Sequence, residues 1–133
     1  MKNYFGELLG KGAYRHVYEF KGCPNLVIKH NVKRCKTYNQ NNVEWEFWKA
    51  VQSTVYGAYF CPIINSINNG EFLICLRVER LKDKDAFRKI KLPFMKHDIN
   101  RTGQWGIIGK NIVVTDYGDK KNLDLFQKHI RAK

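Results

Sequence analysis

The residues of this chain that are best suited to chemistry are a glycine pair, a lysine, a glutamate and two aspartates. In sequence order they are Gly10, Gly12, Lys29, Glu44, Asp98 and Asp116. Glycines let backbone N–H groups approach phosphate oxygens closely, and a lysine neutralises phosphate charge. Carboxylates hold metal ions or accept protons. A set of this composition and order provides the groups that phosphoryl transfer requires.

The glycines and the lysine fall in a predicted antiparallel meander. Residues 4–9 and 15–20 read as strands on either side of the glycine turn, because apolar and polar residues alternate around Val17 and Tyr18. Residues 21–25 are rich in turn formers, and residues 26–30 form an apolar third strand that carries Lys29 near its end.

A helix is predicted from about residue 43 to residue 54. Val43, Phe47 and Val51 recur at helical spacing, and Trp48 widens the apolar stripe. The N-cap is expected at Asn41 or Asn42. The first glutamate of the helix is therefore placed near its positive end.

Two further strands are expected at residues 59–66 and 71–78, because Asn69-Gly70 between them is a strong hairpin signal. Residues 82–91 are charged and predict a short helix that ends before Pro93. Residues 95–106 read as a polar loop, residues 106–115 as a second hairpin, and residues 123–130 as an amphipathic helix.

The bulk composition is that of one folded domain over residues 1–133, with 44% hydrophobic and 14% aromatic residues. No apolar run approaches the ~20 residues that span a bilayer, and no signal peptide is evident, so a cytoplasmic protein without a membrane partner is expected. The cysteines lack zinc-site spacing and are expected to be reduced and mostly buried. They are Cys23, Cys35, Cys61 and Cys75.

The chain is strongly basic, with 24 Lys and Arg against 12 Asp and Glu, a net charge of +12. Such a charge attracts nucleotides, nucleic acids or acidic protein partners, although a solvated surface explains it equally well. Trp45, Trp48 and Trp105 interleave with the basic residues, as in proteins that stack single-stranded bases. Trp45 and Trp48 lie on the predicted helix, however, where packing in the core is the more probable role.

The order of these motifs resembles the protein-kinase-like superfamily, and most of all the very compact kinase-like proteins found in phages and bacteria. Gly10-x-Gly12 followed by Val17 is similar to the family's G-x-G-x-x-G-x-V loop, with Arg15 in place of the third glycine. The run that ends in Lys29 is similar to V-A-I-K, whose lysine holds phosphates and pairs with a helix glutamate. We choose Glu44 for that glutamate, with Glu46 as the alternative.

The late aspartates complete the resemblance. His97-Asp98 is similar to the catalytic-loop pattern, and Asp116-Tyr117-Gly118 is similar to D-F-G. The resemblance implies that Asp98 accepts the proton of a substrate hydroxyl and that Asp116 holds Mg²⁺. The family's metal-binding asparagine is replaced by Gly103, so Gln104 or Asn100 would have to supply that ligand.

The implied fold is α+β and protein-kinase-like, with a five-stranded antiparallel N-lobe sheet and one main helix over residues 1–81. Residues 82–133 form a strongly truncated C-lobe with a catalytic-loop hairpin. The implied cofactors are ATP and Mg²⁺, and Lys29, Asp98 and Asp116 are the implied catalytic residues. The implied nucleotide-binding residues are Gly10, Gly12, Val17, Lys29, Glu44, Glu79 and Leu81.

Three functions remain open at this point. The first is ATP- and Mg²⁺-dependent phosphoryl transfer to a hydroxyl acceptor. The second is a weak or inactive pseudokinase that binds a host or partner protein, as the shortened second half and the missing asparagine suggest. The third is a basic nucleic-acid-binding module. For a phage-encoded chain, the compartment would be the host cytoplasm.

Overall fold

The computed structural model describes residues 1–33, 38–83, 86–95 and 104–132, which form a mixed α+β fold. Within these ranges there are eight strands, two α-helices and three short 3-10 turns. The strands and α-helices are β1 (Phe5–Lys11), β2 (Arg15–Phe20), β3 (Cys23–Asn31), α1 (Gln40–Val51), β4 (Ile63–Ile67), β5 (Phe72–Leu76), β6 (Glu79–Arg80), β7 (Trp105–Ile108), β8 (Asn111–Val114) and α2 (Lys120–Arg131).

The first half of the chain forms an antiparallel sheet of five strands in the order β1-β2-β3-β5-β4, with α1 between the third and fourth strands in sequence. This confirms the predicted sheet and its main helix. Gly10 pairs with Val17, and Val17 pairs with Lys29. Directly opposed residues of neighbouring strands point to the same face, so this row presents the glycine loop and the lysine on one side of the sheet.

The β4–β5 hairpin was correctly predicted from its turn. The Glu71 N–H donates to the Asn68 carbonyl at 3.1 Å, and the two residues between them, Asn69 and Gly70, adopt φ angles of 51° and 83°, in the left-handed region that two-residue hairpin turns of this type require. The flanking strands are shorter than the apolar runs predicted, because a 3-10 turn, Gly57–Tyr59, and residues 60–62 precede β4, and because β5 ends at Leu76.

Two boundaries in the first half differ from the sequence prediction. Strand β3 begins at Cys23, because Lys21-Gly22 alone turns the chain. Helix α1 begins at Gln40, and its N-cap is Asn39, whose side chain accepts a hydrogen bond from the Asn42 N–H at 3.1 Å. The prediction of Asn41 or Asn42 as the cap was therefore wrong.

Helix α1 packs on the sheet through the apolar stripe that its sequence predicted, with Val43, Phe47 and Val51 buried. The ring of Phe47 lies at the centre of an aromatic cluster, with four other rings at centroid distances of 5.2 to 6.4 Å. Those rings belong to Phe60, Phe94, Tyr117 and Phe126. Because they come from both halves of the sequence, one core joins the sheet to the C-terminal part.

The second half contains the expected β7–β8 hairpin, and β6 pairs with β7 to make a three-stranded antiparallel sheet. The short helix expected at residues 82–91 is a 3-10 turn, Ala86–Lys89, in the described part of that range. Most of the loop predicted at residues 95–106 lies outside the described residues.

Helix α2 begins three residues earlier than predicted, because Asp119 caps it by accepting from the Asn122 N–H at 3.2 Å. Its buried residues include Leu123 and Phe126, and the Phe126 ring stacks on that of Phe47 at 5.4 Å. Across the described residues, neither α-helix is long and apolar enough to cross a membrane.

Candidate functional site: a charged cleft beside the five-stranded sheet

The lysine and the glutamate singled out from the sequence form a buried ion pair. Lys29 Nζ lies 2.6 Å from Glu44 Oε2, and the two residues are 8% and 0% exposed. Lys29 also donates to the main-chain carbonyl of Thr115, the residue before the Asp-Tyr-Gly turn. The choice of Glu44 over Glu46 is thereby settled, since Glu46 is exposed and pairs with Lys49 at 2.8 Å on the helix surface.

Arg15, the residue in place of the third loop glycine, is buried and joins the same cluster. Its Nη1 donates to Glu44 Oε2 at 3.1 Å, and its Nη2 donates to Glu44 Oε1 at 3.3 Å. The same Nη2 lies 2.5 Å from Asp116 Oδ1. The guanidinium therefore connects the β1–β2 hairpin to α1 and to the Asp116 turn.

The Asp-Tyr-Gly turn is held by contacts to α1 and to Cys61 in the segment before β4. The backbone N–H of Tyr117 donates to Glu44 Oε1 at 2.8 Å, and the Tyr117 hydroxyl donates to the Cys61 carbonyl at 2.7 Å. A Cβ added at Gly118 would lie 2.6 Å from the Gln40 carbonyl oxygen, a distance that real Cβ contacts do not show. Glycine at this position thus lets the turn approach the first turn of α1 and places Asp116 at the cluster.

Asn41 completes the polar centre and is fully buried. Its Nδ2 donates to the Lys29 carbonyl at 2.9 Å and to the Glu71 carbonyl at 3.3 Å, while its Oδ1 accepts from Arg15 at 3.2 Å. Asn41 and Glu44 are three residues apart on α1 and therefore share a face of the helix. This spacing is the signal in the sequence that links them.

Charge complementarity keeps Glu44, Lys29 and Arg15 ionised. Burial alone would raise the pKa of Glu44, but Arg15 and Lys29 more than offset it and lower that pKa from 4.5 to about 2. Burial alone would also lower the pKa values of Lys29 and Arg15, yet the nearby carboxylates hold both above their ordinary values. Two cations and two carboxylates, counting Asp116, make the cluster neutral as a unit.

The cluster forms the charged end of a cleft with a volume of about 1370 Å³. Gly10 and Gly12 line it from the β1–β2 hairpin, and a Cβ added at Gly10 would meet no atom within 4 Å. The apolar part of its lining is supplied by strand and linker residues: Leu9, Val17, Val27, Leu76 and Val78. A cleft with an apolar wall and a charged end fits an amphipathic ligand with a flat apolar group and an anionic group.

Basic side chains outnumber acidic ones along the described lining of the cleft. The basic ones are Lys11, Arg15, Lys29, Arg77, Arg80 and Lys82, and the acidic ones are Glu79, Asp116 and Asp119. Low-dielectric walls of one dominant sign focus the field and raise the local concentration of oppositely charged ligands. Because Glu44 and Glu19 pair with Lys29 and Arg77 from outside the lining, the net charge around the cleft is only slightly positive, which still favours an anion over a cation.

The predicted site residues divide into three groups. The structure brings Gly10, Gly12, Val17, Lys29, Glu79 and Asp116 to the cleft lining, with Glu44 directly behind Lys29. Leu81 and Gln104 are buried, Leu81 in the hydrophobic core, and neither side chain belongs to this lining. Asp98 and Asn100 fall in residues 96–103 and lie outside the described residues.

The tryptophans do not present an exposed stacking surface. Trp105 is buried, with its ring stacked on Phe87 at 5.4 Å, and Trp45 and Trp48 are half-buried against the core. This agrees with the core role expected for Trp45 and Trp48. The aromatic part of the nucleic-acid hypothesis gains no support from these positions, and the hypothesis stays a prediction based on charge.

The described cysteines are thiols, as expected, and Cys61 and Cys75 are buried. Burial raises the pKa of Cys61 to about 11 and that of Cys75 to about 12, so both are protonated at neutral pH. Among the residues that the structure describes, no group of three or more His, Cys, Asp and Glu side chains is arranged to hold a metal ion.

Comparison with known proteins does not assign this chain to a family. No protein-family model matches it, and a search of the curated proteins gave no significant match.

Proposed function

We propose that this chain is a minimal protein-kinase-like protein that binds ATP in the cleft and transfers its γ-phosphoryl group to a hydroxyl acceptor. The buried Lys29–Glu44 ion pair, 2.6 Å long, has its lysine in the same cleft lining as Gly10 and Gly12, and it is the observation that carries the proposal. In the kinase family this pair has to be in place for the lysine to hold the α- and β-phosphates.

Two further contacts and the lining of the cleft support the same assignment. The Asp116 turn is attached to this pair through the Tyr117 N–H and the Thr115 carbonyl. The apolar lining next to Val17 suits the adenine ring, and the basic lining suits the phosphates. A lysine, a glutamate and an aspartate that are distant in sequence thus meet at one end of one cleft.

In the proposed reaction, the hydroxyl oxygen of the acceptor attacks the γ-phosphorus. A new O–P bond forms, the bond from the γ-phosphorus to the β,γ-bridging oxygen breaks, and ADP leaves. The hydroxyl proton passes to the carboxylate of Asp98, a role that the resemblance implies for this residue. Lys29 would orient the phosphates, and the glycine backbone would approach them closely.

Mg²⁺ is the cofactor that the resemblance implies, and it would neutralise phosphate charge during transfer. Proteins commonly hold this ion through one or two carboxylates together with substrate phosphates. Asp116 is the described carboxylate at the charged end of the cleft that would serve, although its Oδ1 is already paired with Arg15. A single carboxylate with one oxygen already paired supplies only part of the ligand set that Mg²⁺ requires.

The binding step is tested by replacing the open glycine. A Gly10→Val side chain would enter empty space in the cleft, so folding should be retained while the room for phosphates is lost. The melting temperature of the wild type should rise with millimolar ATP, because a ligand at about a hundredfold excess over its Kd adds ~2.7 kcal/mol of stability. Gly10→Val should show the same melting temperature without ATP and a much smaller rise with it. No rise in the wild type, with or without Mg²⁺, would refute the proposal.

The transfer step is tested with γ-labelled ATP, by following label on the protein itself or on added acceptors. Turnover should be lost in Asp98→Asn, since that variant cannot accept the hydroxyl proton. Asp124→Asn on the exposed surface of α2 is the matched control and should retain turnover. Turnover that persists in Asp98→Asn would contradict the assigned role.

A pseudokinase is the second candidate, and the Arg15–Asp116 ion pair favours it. An arginine on this carboxylate occupies an oxygen that the family uses for its metal. This candidate predicts that ATP binds without measurable transfer and that a partner protein is retained by the Asp98→Asn variant.

A further inference from the structure

Arg15 lies against Asp116, the carboxylate at which the kinase resemblance places a divalent cation. The residue is 7% exposed, and its Nη2 is 2.5 Å from Asp116 Oδ1. We propose that Arg15 supplies the positive charge at this carboxylate, so that the cleft binds a nucleoside triphosphate without a divalent cation. Metal-independent binding of this kind presupposes the nucleotide cleft proposed above.

The guanidinium is held in place by three side chains. Besides Asp116, it donates to both oxygens of Glu44 at 3.1 and 3.3 Å and to Asn41 Oδ1 at 3.2 Å. The planar fork of arginine suits such bidentate pairing, and its charge is not lost at any ordinary pH. The positive charge next to Asp116 is therefore a permanent part of the protein, whereas a divalent ion has to be recruited from solution.

A divalent cation bound with a nucleotide neutralises the carboxylate that holds it and the phosphates that it bridges. In this cleft, Arg15 and Lys29 already balance Glu44 and Asp116, so the carboxylate no longer repels an incoming phosphate chain. The exposed side chains of Lys11, Arg80 and Lys82 also line the cleft, and they outnumber its remaining acidic side chains, Glu79 and Asp119. Side chains thus neutralise both the carboxylate and the phosphates, which are the two roles of the cation when the nucleotide binds.

A cation and Arg15 also compete for the same carboxylate. Mg²⁺ requires near-octahedral oxygen ligands at about 2.0–2.1 Å, so full access to the Asp116 carboxylate means displacing Arg15 from Oδ1, and Oδ2 alone offers the ion one oxygen beside a bound guanidinium. Moving Arg15 breaks its contacts to Glu44 as well, because one rigid group makes both. Mg²⁺ should consequently add little to the affinity for the nucleotide.

The direct test is calorimetric titration of the wild-type protein with ATP, once in EDTA and once in excess MgCl₂. We expect dissociation constants that agree within about threefold. Binding that is seen only with Mg²⁺, or that Mg²⁺ tightens about tenfold or more, would overturn metal independence and leave the proposed nucleotide cleft standing. Absence of binding in both buffers would overturn both proposals.

Asp116→Asn distinguishes the two possible roles of the carboxylate, because they predict opposite changes in ATP affinity. This change is isosteric and lies at a side chain that is 45% exposed, so folding should be retained. If Arg15 balances Asp116, the variant uncovers one positive charge and tightens ATP binding in EDTA severalfold. If Asp116 instead holds Mg²⁺, the variant weakens ATP binding in MgCl₂, and that result would overturn the proposal.

Arg15→Gly restores the glycine of the family's loop pattern and supplies a second test. ATP affinity in EDTA should fall about tenfold or more, and addition of MgCl₂ should now recover most of it. Arg15→Lys keeps a cation at this position and should remain metal-independent; it also covers the case in which the glycine variant does not fold. Arg131→Ala is the control, since Arg131 is exposed in the last turn of α2 and does not line the cleft. Equal affinity of a folded Arg15→Gly and the wild type in EDTA would contradict the assignment.

Discussion

The chain contains ion pairs of the same chemical type in two very different settings. On the cleft side, Glu44 is fully buried and accepts from Lys29, Arg15 and the Tyr117 N–H. On the outer side of the same helix, Glu46 pairs with Lys49 at 2.8 Å, with side chains 59% and 45% exposed. The presence of an ion pair therefore does not by itself predict its contribution to stability. The desolvation of the two charges decides how much free energy of unfolding is lost when one partner is removed.

The largest expected effect is at the centre of the buried cluster. Glu44→Gln leaves two buried cations without their shared carboxylate, and removing one partner of a buried pair costs about 3–5 kcal/mol. Urea unfolding should show this as a lower midpoint with an unchanged slope. Glu46→Gln, two residues away on the exposed face, should change the unfolding free energy by less than about 0.5 kcal/mol. Equal effects of the two variants would show that burial is not what distinguishes them.

Acid should weaken the buried cluster without any mutation. The pKa of Glu44 is about 2 in the folded protein, below its ordinary 4.5, so its carboxylate favours folding above pH 4.5. That contribution should be lost as the pH falls from about 4.5 towards 2, when the unfolded chain takes up a proton first. Urea midpoints measured across this range should fall, and the Glu46→Gln variant should follow the wild-type curve. A flat profile between these pH values would contradict the buried ion cluster.

Lys29→Met should have an intermediate effect on stability. Arg15 still satisfies Glu44, so the loss should be about 1–3 kcal/mol, the cost of one unsatisfied buried group. ATP-dependent stabilisation, however, should disappear, because Lys29 is the proposed phosphate ligand. Lys49→Met removes the lysine of the exposed pair and is the matched control for both measurements. A variant that still responds to ATP like the wild type would exclude Lys29 from the binding site.

The smallest effect is expected for the surface pair on α2. Lys120 and Asp124 lie four residues apart, with 3.5 Å between Nζ and Oδ1 and both side chains more than half exposed. Lys120→Ala should change the unfolding free energy by no more than about 0.5 kcal/mol, with no change in ATP response. A loss of unfolding free energy as large as that expected for Lys29→Met would show that the buried and the exposed ion pairs do not differ in their contribution to stability.

Local patterns were enough to predict most of the first half of the fold. The alternation around Val17, the Asn69-Gly70 turn and the helical spacing of Val43, Phe47 and Val51 each reflect a nearest-neighbour constraint. The helix start was misplaced, because four consecutive asparagine or glutamine residues before Val43 resemble a loop sequence. Helical structure there depends on Asn41 being hydrogen-bonded by residues far away in sequence.

The sequence by itself also indicated residues that line or adjoin the cleft, since glycines, a strand lysine, a helix glutamate and a turn aspartate are recognisable by type and spacing. Only the tertiary structure decided which of the charged side chains pair with one another. Arg15 is 29 residues from Glu44 and 101 residues from Asp116, and no local rule relates positions that far apart. Its placement between the two carboxylates follows from the close packing of the β1–β2 hairpin, α1 and the Asp116 turn, because a buried charge is stable only where opposite charges surround it.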